Sequence, residues 1–163
     1  MLIFYGVGDG ISPLVSVNFG AKKSDRIFTF FKMGLLTNLI IAAFVTVLLL
    51  SLSEEMVGIF LPSGEEDISK LAISIVSIVW PMLIFAGVNV AFISYFTGMH
   101  CAKESALIAL ARSIIFPILL ILLFWNLFGF MSAFYALPVS ELCVFIMSIF
   151  IFKNRLPKNL INI

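Results

Sequence analysis

Two side chains carry charge where a membrane-spanning segment tolerates it least. Arg112 lies inside an apolar run from 105 to 127, and Glu141 inside another from 130 to 152. A charge at the centre of a bilayer costs about 2.5 to 3.5 kcal/mol on insertion scales, so each needs a compensating partner. At about 1.5 Å per helical residue, Arg112 lies ~10 Å deep and Glu141 ~16 Å deep from the same end, a gap a long arginine can bridge. The spacing predicts an interhelical ion pair. Such a pair is either a static lock between two helices or a switch that opens and closes with transport, protonation of Glu141 being one way to open it.

Other polar residues at membrane depth are candidates for ion binding or for lining a cavity. Asp9 sits among Gly6, Gly8 and Gly10, where freed backbone groups and a carboxylate suit a cation or proton, although the outer mouth would suit it equally. Asn18, Asn89 and Tyr95 join it, with Ser94 and Asn38 beside them, and interhelical hydrogen bonding is the alternative role. Pro13, Pro81, Pro117 and Pro138 place a proline in four apolar segments, where each frees a backbone carbonyl and bends the helix. His100 has no second His or Cys at ligand spacing and reads as interfacial. Cys101 and Cys143 form no ligand or redox motif and read as packing residues. No phosphate-cradling loop, nucleophile elbow or metal cluster is visible, so neither catalysis nor a bound metal or cofactor is expected beyond a coupling proton or sodium ion.

The elements that hold these residues are dictated by composition. Of 163 residues, 62% are hydrophobic and 12% charged, with a mean hydropathy of +1.18, against about half apolar and about a quarter charged in soluble domains. The surplus is spread along the whole chain, so the lipid bilayer is the solvent and the expected fold is an all-α polytopic bundle, one membrane domain over 1–163. The spans expected are 1–21, shortened by its glycines and Pro13; 33–52; 71–97, as one long helix kinked at Pro81; 105–127; and 130–152. The apolar piece at 56–62 reads either as an interfacial segment or as ordinary loop. Met1 runs directly into Leu2, Ile3 and Phe4 without a basic leader, so the chain is expected to begin inside a longer protein.

Charge placement orients the bundle. Lys22, Lys23, Arg26 and Lys32 follow the first span, Lys103 follows the third, and Lys153, Arg155 and Lys158 end the chain, whereas Glu54, Glu55, Glu65, Glu66 and Asp67 surround a single Lys70 between the second and third. Short cytoplasmic loops concentrate Lys and Arg, which places the C-terminus in the cytoplasm of a plasma-membrane protein. The net charge of +1 gives no reason to expect nucleic acid.

The stretch GDGISPLVSVNFGAKKSDRI at 8–27 resembles a segment of multidrug and toxic compound extrusion (MATE) transporters that reads roughly G-x-G-x-Q-P-x-x-S-x-N-x-G-A-K-x-x-x-R. YFTGMHCAK at 95–103, Arg112, and LPVSE at 137–141, similar to the family's P-x-[AS]-E, follow in the family's order. Ser12 and Thr97 stand where glutamines are usual, and His100 where a glycine is. The resemblance implies two six-helix lobes that export drugs or cationic metabolites in exchange for protons or sodium ions, with this chain covering helices eight to twelve. It implies small organic cations as substrate and a missing N-terminal half as partner. Two other readings stand beside it: a truncated or accessory membrane fragment that transports nothing alone, and a flippase for lipid-linked sugars, which shares the architecture.

Overall fold

The computed structural model describes residues 1–60 and 66–157, and these contain helices and no strand. In chain order they are α1 (Leu2–Gly20), α2 (Ser24–Ser51), α3 (Ser53–Phe60), α4 (Glu66–Val79), α5 (Pro81–Gly98), α6 (Ala102–Leu110), α7 (Phe116–Phe128) and α8 (Ala136–Asn154). A single π-helical turn, Ala111–Ile115, joins α6 to α7, and a 3-10 segment, Phe130–Tyr135, leads into α8. Five helical stretches are long and apolar enough to cross a membrane: Leu2–Gly20, Ser24–Ser51, Pro81–Gly98, Ala102–Phe128 and Phe130–Asn154. The fold is an all-α polytopic bundle.

Several boundaries differ from those expected. The first span is not shortened, because α1 runs unbroken for 19 residues through its glycines and Pro13. The second starts at Ser24 rather than 33, so Arg26 and Lys32 lie on the first turns of α2 and the connection is only Ala21–Lys23. The stretch 71–97 is two helices meeting at Trp80, since Pro81 cannot donate to the ladder and instead starts α5 at the position where its missing N–H costs least. Pro81 therefore begins a helix and does not bend one. Pro138, two residues into α8, is likewise near a helix start. Of the apolar piece at 56–62, residues 56–60 belong to α3, with Ile59 and Phe60 exposed, and the last two residues lie outside the described ones.

Buried positions explain the arrangement. α2 buries one stripe, Ile27, Phe31, Gly34, Asn38, Ala42 and Thr46, at three- and four-residue spacing, and turns the rest outward. α5 has no separate polar face and is buried on nearly all sides: 61% of its residues are enclosed, against 22 to 28% across the apolar stretches of the other four spans. It is the axis of the bundle, with α1, α2, α6 and α8 packed around it. Near the basic end an aromatic cluster closes this core, with Phe31 5.0 Å from Tyr95 and 5.1 Å from Phe152, ring centre to ring centre.

Small residues let the helix backbones touch, as they must where lipid offers no hydrophobic drive to pack. A methyl on Gly87 would meet the Asn38 carbonyl oxygen at 3.3 Å, and one on Gly98 would meet the Ser12 carbonyl oxygen and the Val15 Cβ at 2.7 Å. Asn38 uses the first approach to donate from Nδ2 to the Gly87 carbonyl at 2.9 Å.

The two turns at the basic end share one geometry. Lys22 N–H donates to Phe19 O and Lys23 N–H to Asn18 O after α1, and His100 N–H to Thr97 O and Cys101 N–H to Phe96 O after α5. Each closes a helix with a left-handed residue, Lys22 at φ 55° and His100 at φ 57°. That conformation costs a side-chain-bearing residue about 1–2 kcal/mol, which His100 offsets by bonding Ser16 Oγ at 3.1 Å and packing on Phe19. Gly129, after α7, also has a positive φ, 89°, but with an extended ψ of 179°.

Gly98→Ala has rigid backbone in its way and is expected to destabilise the purified chain by about 1–3 kcal/mol, read as a lower melting temperature in detergent. Gly10→Ala, where an added methyl meets nothing, should be neutral or stabilise by up to about 1 kcal/mol. Equal losses from both would refute the close α1–α5 contact.

Candidate functional site: an ion pair buried between helices

Arg112 lies on the π-helical turn, which forms where Pro117 removes the N–H that would serve the Ser113 carbonyl; Phe116 N–H reaches back to Ala111 O, a wider step than in an α-helix. The stretch Ala102–Phe128 stays continuous, and its wider turn carries Arg112 on the inner face. Glu141 lies one turn into α8, on a face that also buries Ser140, Val144 and Ser148.

The structure brings the two together, with Arg112 Nε donating to Glu141 Oε1 at 2.8 Å and relative exposures of 8% and 6%. Among the described residues these are the one buried cation and the one buried carboxylate. A third residue completes the site from α5: Asn89, fully enclosed, donates from Nδ2 to Glu141 Oε2 at 2.8 Å and to the Glu141 main-chain carbonyl at 3.0 Å. Both carboxylate oxygens therefore accept charge-assisted bonds, the strong class. The Asn89 Oδ1 is left without a partner.

The remaining donors of Arg112 point to α1. Its Nη1 donates to the Tyr5 hydroxyl at 2.8 Å and its Nη2 to Met1 Sδ at 3.3 Å, while the guanidinium carbon lies 5.7 Å from the Tyr5 ring centre. Tyr5 had no motif to mark it; the only clue was a phenol one turn from the start of an apolar helix. Four elements, α1, α5, the π-helical turn and α8, thus meet at one cluster. Chemically, it matches one carboxylate and one guanidinium with hydrogen-bond partners from four elements in an otherwise apolar setting.

The other candidates fall elsewhere. Asp9 is exposed on α1, and Asn18 is buried with its amide donating to its own helix at Leu14 O, 2.8 Å. Tyr95 is enclosed in the core near the basic end, where its hydroxyl donates to the Arg155 carbonyl at 3.0 Å. Arg155 in turn pairs with Glu104 at 2.7 Å, so the end of α8 is fastened to α5 and α6. Cys101, in the turn between these, has its thiol pushed up by burial and by Glu104, against a smaller opposing pull from Arg155, which disfavours the reactive thiolate.

A bundle of apolar helices around one enclosed ion pair defines a polytopic integral membrane protein. The MatE family model matches residues 1–123, three quarters of the chain, and the chain belongs to that family. The multidrug export protein MepA of Staphylococcus aureus (strain MW2) is 24% identical over 159 residues, covering 95% of this chain and 34% of the relative. The protein of the same name from Staphylococcus haemolyticus (strain JCSC1435) is 25% identical over 159 residues, with the same shares, and that of Staphylococcus saprophyticus is 23% identical. The chain therefore spans about a third of the length of the curated relatives it matches. No solved structure matches it significantly.

Breaking the pair on one side leaves an uncompensated buried charge, so Arg112→Met or Glu141→Leu alone should each cost about 3–5 kcal/mol, whereas the double variant should recover most of that loss. Thermal unfolding of the three variants checks this; additive losses would show that the two side chains do not interact.

Proposed function

We propose that this chain forms part of a membrane antiporter that exports drugs or cationic metabolites in exchange for protons or sodium ions, with its C-terminus in the cytoplasm. The observation that carries this reading is the Arg112–Glu141–Asn89 cluster, an ionisable group enclosed at membrane depth and tied to three separate helical stretches. Intramembrane ionisable residues of this kind mark ion and substrate pathways. Membership of the MatE family and the multidrug export names of the relatives support the same reading.

In this mechanism Glu141 exchanges its charge. Ionised, it holds Arg112 and Asn89 and clasps α8 to α5 and to the π-helical turn. Neutralised by a proton, or screened by a sodium ion, it lets go of Arg112, which keeps its bond to the Tyr5 hydroxyl, and the helices it joined can change their spacing. Alternation between the two arrangements is what exchange across a membrane requires. The chain spans a third of its relatives' length, and we assign it to helices eight to twelve of the twelve-helix architecture. Transport then needs the corresponding first lobe, supplied by the same polypeptide or by another chain; by itself this segment would be a non-transporting bundle.

The experiment is efflux of a fluorescent organic cation from cells expressing the chain together with such a lobe. Glu141→Gln keeps the shape and removes the charge, and is expected to lower ion-driven efflux at least about ten-fold while the protein still reaches the membrane; normal efflux from a less stable protein would reduce the pair to a static lock.

A further inference from the structure

We propose that the groove between α6 and the end of α8 binds the phosphate of an anionic phospholipid headgroup. The groove encloses about 470 Å³ and is lined by Lys103, Glu104, Leu107, Ile151, Asn154 and Arg155, a volume within the range of small-ligand sites. Its wall changes character along the helix axes. Lys103, Asn154 and Arg155 stand at the end of the bundle. One turn deeper on each helix, Leu107 and Ile151 continue the wall as apolar surface, and Leu107 is half exposed. A phospholipid presents the same order of chemistry, an anionic phosphate above an acyl chain.

The charges there are positioned, not trailing. Arg155 is held by Glu104 Oε1 at 2.7 Å and through its own carbonyl by the Tyr95 hydroxyl at 3.0 Å. The Glu104 side chain is 16% exposed and that of Arg155 45%, so the carboxylate engages one edge of the guanidinium from inside and leaves the rest open to the groove. Glu104 is thereby balanced. Lys103 makes no ion pair among the described residues, which gives the groove a net positive charge. Basic pockets between transmembrane helices capture anionic headgroups in this way. Free phosphate offers the same anion but makes no use of the apolar wall.

The test titrates the full chain, purified in detergent, with phosphatidylglycerol, phosphatidylcholine or inorganic phosphate, and reads bound lipid by native mass spectrometry together with the melting temperature. Phosphatidylglycerol is expected to bind in preference and to raise the melting temperature. Lys103→Gln, an exposed substitution that leaves the Glu104–Arg155 pair intact, should weaken that binding about five-fold without changing melting in the absence of lipid. Lys32→Gln, on α2 outside the groove, should bind as the unaltered chain does. Equal binding of phosphatidylcholine, or unchanged phosphatidylglycerol binding by Lys103→Gln, would overturn the proposal, and so would an equal gain from inorganic phosphate alone, which would assign the groove to a soluble anion.

Discussion

A carboxylate enclosed in an apolar bundle must be matched on every side, and the geometry around Glu141 follows from that requirement. Removing such a group from water costs several kcal/mol, recovered only when the geometry of its partners is good. Arg112 supplies the opposite charge from the π-helical turn, and Asn89, on α5, donates to the second carboxylate oxygen and to the Glu141 main-chain carbonyl. Arg112 has further donors of its own, and Tyr5 on α1 accepts one of them. One buried charge thus sets how four elements approach each other.

The approach is possible because the backbones can come close. α5 is buried on nearly all sides and occupies the axis, so its contacts are made through glycines and short side chains as well as through large ones. Gly87 and Gly98 admit α2 and α1 to near van der Waals contact, and Asn38 converts one of those contacts into a hydrogen bond to backbone. The prolines act in different ways. Pro13 lies within α1, Pro81 and Pro138 sit near helix starts, and Pro117 accompanies the wider turn that carries Arg112. Residue type alone did not distinguish these roles, since each depends on where the helix begins.

At the basic end a second set of contacts fastens the bundle. The left-handed turns at Lys22 and His100, the Ser16–His100 bond and the Glu104–Arg155 pair tie α1, α5, α6 and α8 together within a short distance of the ends of the spans. The buried cluster and this rim are separate: one is enclosed within the bundle, the other partly exposed at its end. α5 is common to both.

Much of this was legible in the sequence, because hydropathy is a local property. Long uncharged runs identify spans wherever they occur, and the all-α membrane class, the number of spans and the two unusual charges follow from that alone. The ends of helices did not follow, since α2 extends through charged residues at its start and the break at Trp80 depends on which turn Pro81 completes. Partners were still less accessible. The Arg112–Glu141 pair was expected, from two lone charges at similar depth, and the structure forms it; but Asn89 and Glu141 lie 52 residues apart and Arg112 and Tyr5 107, and no periodicity within one helix reports which face a distant helix will meet. Asn89 and Tyr95 looked alike as polar residues of one span, yet one caps a buried carboxylate and the other holds the end of α8. The tertiary structure decided this, because the two lie six residues apart on a helix buried on nearly every side and so face different neighbours.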